Sequence, residues 1–297
     1  MWNKIRLPEE YYKTRSEDPT FKRWAQCVKE AAAAQGATNS VLIRAYANDA
    51  GVAANLGRLG SAKGPAQFRK SFYRMVSTCD VALVDMGDFV SGASTVQCHK
   101  WVRENTPQEK HSLVVSIGGG HDWAAVDFDI PDIQIIHIDT HLDVRPYVPT
   151  VLHSGMPFRY LVEKGAAIWC LGAQEEYHSP EQWAYAQSNF KGLLPLDALQ
   201  KDFSKAIDHC YMAIDAQKPL ALSIDMDAFS QAVSPGVSAP SPRGISVEHV
   251  TQIIDAVAKN LSFVGFYELN PAFDVDDQSS RLAAYLFSRL LLKKYGN

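Results

Sequence analysis

Eight short runs of apolar, mostly β-branched residues recur along the chain, and they constrain its fold more than any other feature. Their hydrophobicity is continuous rather than alternating, which is typical of strands covered on both faces. Segments with helical periodicity lie between them, so we predict an α/β fold: a three-layer α-β-α sandwich with a mostly parallel sheet of about eight strands. The predicted strands are 41–46, 81–84, 113–117, 133–139, 167–171, 193–196, 220–225 and 262–268.

Capping signals mark the starts of helices between these strands. Pro65 suits the first turn of one helix, and Ser179-Pro180-Glu181-Gln182 has the pattern of a capping box. No linker or internal repeat divides the chain, so we predict one domain over residues 1–297, with the N-terminal 35 or so residues as a helical extension. The proline-rich segment 234–242 follows a predicted strand and is interpreted as an active-site loop.

Charge and cysteine content argue against several classes of protein. The chain has 29 Lys and Arg against 33 Asp and Glu, a net charge of −4 without a block of like charge, so no nucleic-acid or membrane partner is expected. Its 5 cysteines are scattered, which argues against a disulfide framework and favours a reducing compartment. No leader-like segment and no run of ~18 apolar residues occurs. We expect a cytoplasmic protein with a small polar substrate.

Three motifs with acidic and histidine side chains follow predicted strands. They are Gly-Gly-Gly-His-Asp at 118–122, Asp-Thr-His-Leu-Asp at 139–143 and Asp-Met-Asp at 225–227. In open α/β sheets ligands bind at the carboxyl ends of strands, and residues two apart in an extended chain point the same way. Four carboxylates and two imidazoles suit a pair of divalent cations. The predicted metal ligands are His121, Asp139, His141, Asp143, Asp225 and Asp227.

Each of these residues also has a simpler explanation. A single Asp after a strand is often a helix N-cap, and three glycines can mark only a tight turn. His137 lies inside a predicted strand and is assigned to the core or to a supporting position. The histidines interpreted as non-ligands are His99, His111, His178, His209 and His249. Three independent caps do not explain three such motifs together, so the combination favours a two-metal site.

The three motifs, in this order, resemble the metal-binding motifs of the ureohydrolase (arginase/agmatinase) family. Residues 268–271, Glu-Leu-Asn-Pro, resemble the family's late Glu-Val-Asn-Pro, and the similarity runs from about residue 41 to residue 287. The resemblance implies two Mn²⁺ per subunit, with other divalent metals as alternatives. The ligands it implies are His121, Asp139, Asp143 and Asp225 for one ion, and Asp139, His141, Asp225 and Asp227 for the other. It further implies that Asp143 hydrogen-bonds a metal-bridging hydroxide and passes on its proton, and that Glu268 holds the NH groups of the amidine or guanidine.

Three segments resemble the formimidoylglutamase branch of this family. Residues 48–65 are similar to its Gly-Val-x-x-Asn-x-Gly-Arg-x-Gly-Ala-x-x-Gly-Pro pattern, with Ser61 at the alanine. Residues 235–240 read Pro-Gly-Val-Ser-Ala-Pro where agmatinases have Pro-Gly-Thr-Gly-Thr-Pro, and Ser154 stands where agmatinases have a proton-shuttling histidine. The resemblance implies hydrolysis of the C–N bond of a linear amidine, N-formimidoyl-L-glutamate, to L-glutamate and formamide, a step in histidine breakdown.

A substrate with two carboxylates requires cations or hydroxyls in its pocket. The predicted substrate-binding residues are Asn55, Arg58, Arg145 and Ser154. Both arginines have an alternative role in surface or structural ion pairs. His153 is assigned as a catalytic residue beside Asp143 and Glu268, and it either protonates the leaving amine or only lines the entrance.

Other functions remain alternatives from the sequence alone. An agmatinase or guanidinobutyrase would use the same metals with a different pocket for the substrate tail. A catalytically silent relative would use the metal site for structure or binding, and a deacetylase on a related fold would more naturally use one zinc. The resemblance also implies a homo-oligomer, either a trimer or a hexamer.

Overall fold

One mostly parallel sheet forms the centre of the molecule. The computed structural model describes residues 1–13, 22–29, 39–106 and 111–296, and this part of the chain contains a sheet of 9 strands. The strands are β1 (Trp2–Asn3), β2 (Ser40–Tyr46), β3 (Ala82–Phe89), β4 (Leu113–Ile117), β5 (Gln134–Ile138), β6 (Ala167–Leu171), β7 (Gly192–Leu194), β8 (Leu220–Asp225) and β9 (Leu261–Tyr267). Their order across the sheet is β1-β3-β2-β4-β9-β8-β5-β6-β7.

The predicted α/β fold and parallel sheet are confirmed. Every strand pair is parallel except β1 with β3. The eight predicted strands all form, and β1 adds a short antiparallel edge, too brief for a hydrophobic pattern to reveal. β7 ends at Leu194 rather than at Leu196, because Pro195 stops the strand and Leu196 begins a helix.

Helices cover the sheet and begin where the capping signals indicate. They are α1 (Ala50–Ala54), α2 (Gly64–Phe72), α3 (Thr95–Asn105), α4 (Ala124–Asp127), α5 (Pro157–Glu163), α6 (Pro180–Asn189), α7 (Leu196–Lys201), α8 (Ser204–Met212), α9 (Val247–Val257) and α10 (Gln278–Tyr295). Ser179 caps α6 by accepting the main-chain N–H of Gln182, as the capping-box pattern predicts. None of the described helices has both the length and the apolar character that crossing a membrane requires.

Alternate residues of the central strands pack into two cores, one on each face of the sheet. Ile136 and Leu222 share one core with α2, α7, α8, α9 and α10. Ile135 and Ile168 share the other with α3, α4, α5 and α6. Burial on both faces is the reason that these strands are continuously apolar, and it produces the three layers.

The N-terminal segment packs against the first of these cores. Trp24 is fully buried, and its ring stacks on Phe72 with centroids 5.3 Å apart. The described residues 1–13 and 22–29 contain β1 and the 3-10 helices Glu9–Tyr11 and Trp24–Cys27, without an α-helix. The predicted helical extension also covers residues 14–21 and 30–35, which lie outside the described residues.

Candidate metal centre and active site

Four adjacent strands end at the candidate site: β4, β9, β8 and β5. His121 lies in the turn after β4, Asp139 directly follows β5, Asp225 is the last residue of β8, and Glu268 directly follows β9. Parallel strands present their carboxyl ends at one edge of a sheet. The topology therefore brings together motifs that are far apart in the sequence.

The turn that carries His121 depends on a close approach of two main-chain segments. A Cβ atom added at Gly119 would lie 1.7 Å from the carbonyl oxygen of Asn48, so no side chain fits there. The His121 ring stacks on Tyr267 with centroids 4.7 Å apart, and its Nε2 lies 2.9 Å from Ser223 Oγ. These contacts fix the ring with Nδ1 among the carboxylates.

Three carboxylates surround Nδ1 of His121. This nitrogen lies 3.3 Å from Asp139 Oδ2, 3.1 Å from Asp143 Oδ2 and 2.9 Å from Asp225 Oδ2, and one ligand atom from each of the four residues falls within 4.8 Å of the others. Burial opposes a charge on the ring, but the carboxylates outweigh it and raise the pKa of His121 well above its ordinary value. A place that favours a proton so strongly also favours a metal cation.

A second group of ligand atoms is built around His141. Its Nδ1 lies 3.5 Å from Asp139 Oδ1 and 3.3 Å from Asp227 Oδ2, so Asp139 belongs to both groups. The alternation of side chains along a strand does not bring these residues together, because β5 ends at Ile138 and β8 ends at Asp225, before the rest of each motif. Each leading aspartate instead accepts the N–H two residues later, at 2.6 Å from His141 and at 2.8 Å from Asp227. These short turns bring both motifs into the cluster.

The charges of the cluster fit bound divalent cations. Burial and the adjacent Asp227 raise the pKa of Asp225, and burial raises the pKa of Asp227 to about 6. Asp139 Oδ2 and Asp227 Oδ1 are buried without a hydrogen-bond partner. Carboxylate oxygens that converge in this way are costly unless a cation neutralises them. Together with imidazole nitrogen they are suitable ligands for hard or borderline metals.

Glu268 and Asp143 have left-handed backbone conformations, with φ of 61° and 48°. Such conformations are uncommon for residues other than glycine and cluster at functional sites. Glu268 Oε1 accepts the main-chain N–H of His121 at 2.9 Å, whereas its Oε2 is buried without a partner. Burial, reinforced by the charge of Asp225, raises the pKa of Glu268 well above its ordinary value. Oε2 is therefore the acceptor that remains for a ligand.

A cavity of about 280 Å³ opens onto the cluster. The cluster residues that line it are His141, Asp143, Asp225, Asp227 and Glu268. The four predicted substrate-binding residues also line it: Asn55, Arg58, Arg145 and Ser154. A volume just below the usual range of ~300–1,000 Å³ for ligand pockets suits a small polar molecule.

Three of these four residues form one hydrogen-bonded network. Arg145 Nη1 donates to Asn55 Oδ1 at 3.0 Å, and Asn55 Nδ2 donates to Ser154 Oγ at 3.1 Å. The Arg58 guanidinium is not part of this network and donates to main-chain carbonyls of the loop 234–242. Arg145 is exposed, so the N–H groups that Asn55 does not engage are accessible to a ligand.

The structure places His153 outside this cavity. It is half-buried, and its Nε2 lies 3.3 Å from the carbonyl oxygen of Pro146. The adjacent Ser154 is the residue of this segment that lines the cavity. Neither a proton transfer from His153 nor an entrance-lining role gains support from this geometry.

Two cavity residues had no clear signal in the sequence. Tyr177 and His178 line the cavity, although His178 is interpreted above only as a non-ligand. Its Nε2 accepts the N–H of Leu142 at 2.9 Å, and its Nδ1 lies 2.7 Å from the carbonyl oxygen of Gln174. Burial lowers the pKa of His178 to about 4, so the neutral ring supports the loop 139–143.

Two further histidines contact the motifs of the metal cluster from the protein interior. His137 is buried with Nε2 3.5 Å from Asp139 Oδ2, and its ligand atom also converges with those of His121 and Asp139, so its assignment to the core or to a supporting position stays a prediction. His99 is also buried, and its Nε2 lies 2.8 Å from Asp122 Oδ2 in the first motif. The residue that follows His121 is thus fixed by a partner 23 positions away, which the sequence pattern does not reveal.

Comparisons with known proteins point to one family. The arginase family model matches residues 45–293. A formimidoylglutamase from Aromatoleum aromaticum is 31% identical, covering 92% of this chain and 88% of its own. A formimidoylglutamase from Ralstonia nicotianae is 29% identical, covering 91% of this chain and 90% of its own. The structure of Trypanosoma cruzi formiminoglutamase with two Mn²⁺ has a TM-score of 0.81 and 25% identity, covering 92% of this chain and 98% of that one.

The family match and the geometry agree on the same part of the molecule. The matched residues include β4, β5, β8 and β9 together with all six clustered ligand candidates and Glu268. Because the match covers most of the chain and includes the site, this protein belongs to the arginase family.

Proposed function

We propose that this protein is a Mn²⁺-dependent hydrolase that converts N-formimidoyl-L-glutamate and water to L-glutamate and formamide. The observation that carries the proposal is that one cavity joins the carboxylate and histidine cluster to the Arg145 network. The cluster can bind metals and an amidine, and the Arg145 network can bind the carboxylates of the substrate. The relatives named formimidoylglutamase, which match 91% and 92% of this chain, support the same substrate.

Two Mn²⁺ ions are assigned to the cluster. The proposed ligands are His121, Asp139, Asp143 and Asp225 for one ion, and Asp139, His141, Asp225 and Asp227 for the other. Asp139 is common to all three groups of converging ligand atoms, which supports its being shared by the two ions, whereas the sharing of Asp225 rests on the motif resemblance. When bound, such a pair would lower the pKa of water toward ~7, so that hydroxide would be available at neutral pH.

Glu268 is assigned to the amidinium group of the substrate. Its Oε1 is fixed by the main-chain N–H of His121, and its Oε2 is free to accept a hydrogen bond. A planar cation with N–H donors is a natural partner for a carboxylate. This contact would hold the amidine carbon beside the cluster, so that part of the barrier is overcome by orientation.

Asp143 is assigned to proton transfer. Its side chain is 12% exposed and lines the cavity, whereas the other two carboxylates around His121 are 0% and 2% exposed. Addition of water to the amidine carbon releases a proton, which Asp143 accepts. Cleavage of the bond to the glutamate nitrogen then leaves formamide, and the departing amine takes the proton from Asp143.

Arg145, Asn55 and Ser154 are assigned to the carboxylates of the glutamate part. The guanidinium of Arg145 offers two parallel N–H donors that match a carboxylate. Asn55 and Ser154 add an amide and a hydroxyl. Their mutual hydrogen bonds hold these groups in place before a ligand arrives, which reduces the entropy lost on binding.

The lining of the cavity favours an acidic substrate over a guanidine with a cationic tail. Among the described lining residues, the carboxylates are Asp143, Asp225, Asp227 and Glu268, and all of them belong to the cluster. An agmatinase would require a further acid at the distant end of its substrate. A non-catalytic role is also disfavoured, because every ligand candidate and Glu268 are present.

Assembly and location are further proposals. The family resemblance supports a trimer or a hexamer. The 5 cysteines are all free, which is compatible with the proposed cytoplasmic location because thiols stay reduced there.

The proposed function is tested by turnover of the Mn²⁺-loaded protein on N-formimidoyl-L-glutamate, agmatine, 4-guanidinobutyrate and arginine. We expect kcat/KM for the first substrate within the ordinary range of ~10⁴–10⁸ M⁻¹s⁻¹, and at least ~100-fold lower values for the others. A preference for a guanidine would reject the assigned pocket for the carboxylates. Inactivity on all four, with two metals bound, would support the catalytically silent relative.

A further inference from the structure

The loop 234–242 forms one wall of the cavity. It follows β8 and the Asp225 motif, and its residues Ser238 and Ala239 line the cavity. Residues 234–240 belong to no strand or helix, so their carbonyl groups lack regular partners. The position of this wall therefore depends on contacts with other parts of the chain.

Arg58 supplies the hydrogen bonds to the part of the loop nearest the cavity. Its Nη2 donates to the carbonyl oxygen of Val237 at 2.6 Å, and its Nε donates to that of Ser238 at 2.9 Å. The main-chain N–H of Arg58 also donates to Ser238 Oγ at 2.9 Å. Within the described part of the chain, both side-chain donors to these two carbonyls come from this one guanidinium.

Other contacts fix Arg58 in this position. Its guanidinium carbon lies 3.9 Å from the ring centroid of Phe273, and its carbonyl oxygen accepts a hydrogen bond from Asn270 Nδ2 at 2.9 Å. Stacking on an aromatic ring and two directed hydrogen bonds leave a planar guanidinium little freedom. Arg58 therefore connects the loop after α1, the cavity wall and the segment that follows Glu268.

We propose that Arg58 is a positioning residue that sets the cavity wall at Val237 and Ser238, rather than a direct contact of the substrate carboxylates. The kinetic part of this proposal rests on the proposed function. Two of its N–H donors are engaged by the loop, whereas, among the described residues, only the Asn55 amide holds the Arg145 guanidinium. Arg145 thus carries the recognition of the carboxylate, and Arg58 shapes the space in which the substrate lies.

Hydrogen–deuterium exchange of the metal-loaded protein tests the structural half directly. Glutamine at position 58 cannot span both carbonyls, so Arg58→Gln should accelerate exchange in peptides covering 234–242 by ~10-fold. Arg58→Lys keeps the charge but lacks the planar fork and should give an intermediate result. Arg145→Gln is the matched control and should leave this loop unchanged. An unchanged loop in Arg58→Gln would overturn the proposal.

Kinetics with three substrates test the functional half. They are N-formimidoyl-L-glutamate and two analogues, each lacking one of its carboxylates. A positioning residue affects the whole cavity, so Arg58→Gln should lower kcat/KM by a similar factor of ~10 for all three. Arg145→Gln should penalise only the substrates that keep the carboxylate it binds. The same selective pattern in Arg58→Gln would assign a direct contact and overturn the proposal.

The structural and the kinetic parts of the proposal can fail separately. If the wild-type protein turns over none of the three amidines, the proposed function fails. The exchange experiment still decides whether Arg58 holds the loop, because it requires only the metal-loaded protein. An accelerated loop in Arg58→Gln with normal kcat/KM on every substrate would also overturn the positioning role.

Discussion

Replacement of Glu268 by glutamine tests the assigned contact with the amidinium group. The two side chains have the same shape, so the backbone with φ of 61° can keep its conformation. The main-chain N–H of His121 requires an acceptor at the position of Oε1, 2.9 Å away. The amide oxygen must take that place, which turns the NH₂ group of the glutamine into the cavity. A donor would then face the N–H donors of the substrate.

The size of the effect follows from the single free oxygen. Glu268 Oε2 can accept one charge-assisted hydrogen bond, which is worth ~1.5–3 kcal/mol. Because 1.4 kcal/mol corresponds to a tenfold change, loss of this bond alone lowers kcat/KM by about 10- to 150-fold. The donor that replaces the acceptor adds to the loss. We therefore expect a fall of at least ~100-fold in Glu268→Gln.

The assay combines steady-state kinetics with a metal count. Glu268→Gln should keep two Mn²⁺ per chain by elemental analysis, since it is not an assigned ligand, while kcat/KM on N-formimidoyl-L-glutamate falls. Glu104→Gln is the control, because Glu104 is 59% exposed and pairs only loosely with Lys100 at 3.9 Å. It should match the wild type in both measurements.

Two results would refute the reasoning about Glu268. Near-normal turnover of Glu268→Gln would show that the substrate does not use this carboxylate. Loss of one metal ion together with activity would show that Glu268 is a ligand, and the contact with the amidinium would have to be assigned to another residue.

Three further changes have defined outcomes. His153→Ala should lower kcat only a few-fold, because its imidazole lies outside the cavity, and a loss beyond ~100-fold would identify it as a general acid. Asp85→Asn should destabilise the fold by ~1.5–3 kcal/mol in urea unfolding, since it removes the charged acceptor of Arg69 Nε and Nη2 and leaves Asp88 as the remaining carboxylate beside the buried guanidinium. Burial raises the pKa of Asp85, but Arg69 outweighs it and lowers the pKa below its ordinary value. The wild type should therefore exceed Asp85→Asn in free energy of unfolding by the full amount above ~pH 4, and this difference should disappear as pH falls through the lower folded-state pKa. A difference that does not change with pH would refute this. Gly119→Ala should abolish folding or metal binding because its Cβ would lie 1.7 Å from a carbonyl oxygen, whereas the control Gly92→Ala meets nothing within 4 Å and should behave as wild type in thermal unfolding and metal content.

The sequence predicted the fold and the members of the cluster because these depend on local signals. A strand buried on both faces must be apolar throughout, so the runs that became β4, β5 and β8 were visible directly. Ligand side chains must follow such strands to reach the functional edge. The same rule could not find β1, whose two residues form a strand only because they pair with the far end of β3.

Orientation of side chains within the site was not predictable in the same way. From the sequence, Arg58 and Arg145 had the same predicted role, as cations that bind the carboxylates of the substrate. In the structure the Arg58 guanidinium donates hydrogen bonds to two carbonyl groups and stacks on an aromatic ring, whereas the Arg145 guanidinium donates to one side-chain amide. His153 and Ser154 are adjacent in the chain, yet only Ser154 lines the cavity.

By itself, therefore, the sequence determined the strand order along the chain, the metal-binding motifs and the chemistry that their side chains can perform. Only the tertiary structure decided which neighbours each side chain has, such as the partner of His178 at Leu142, 36 positions away. The physical reason is that sequence patterns are local, whereas the contacts that orient a side chain are long-range. Hydrophobic period and motif spacing are properties of a few consecutive residues, but the direction of a side chain depends on hydrogen-bond partners that the sheet topology brings from distant segments.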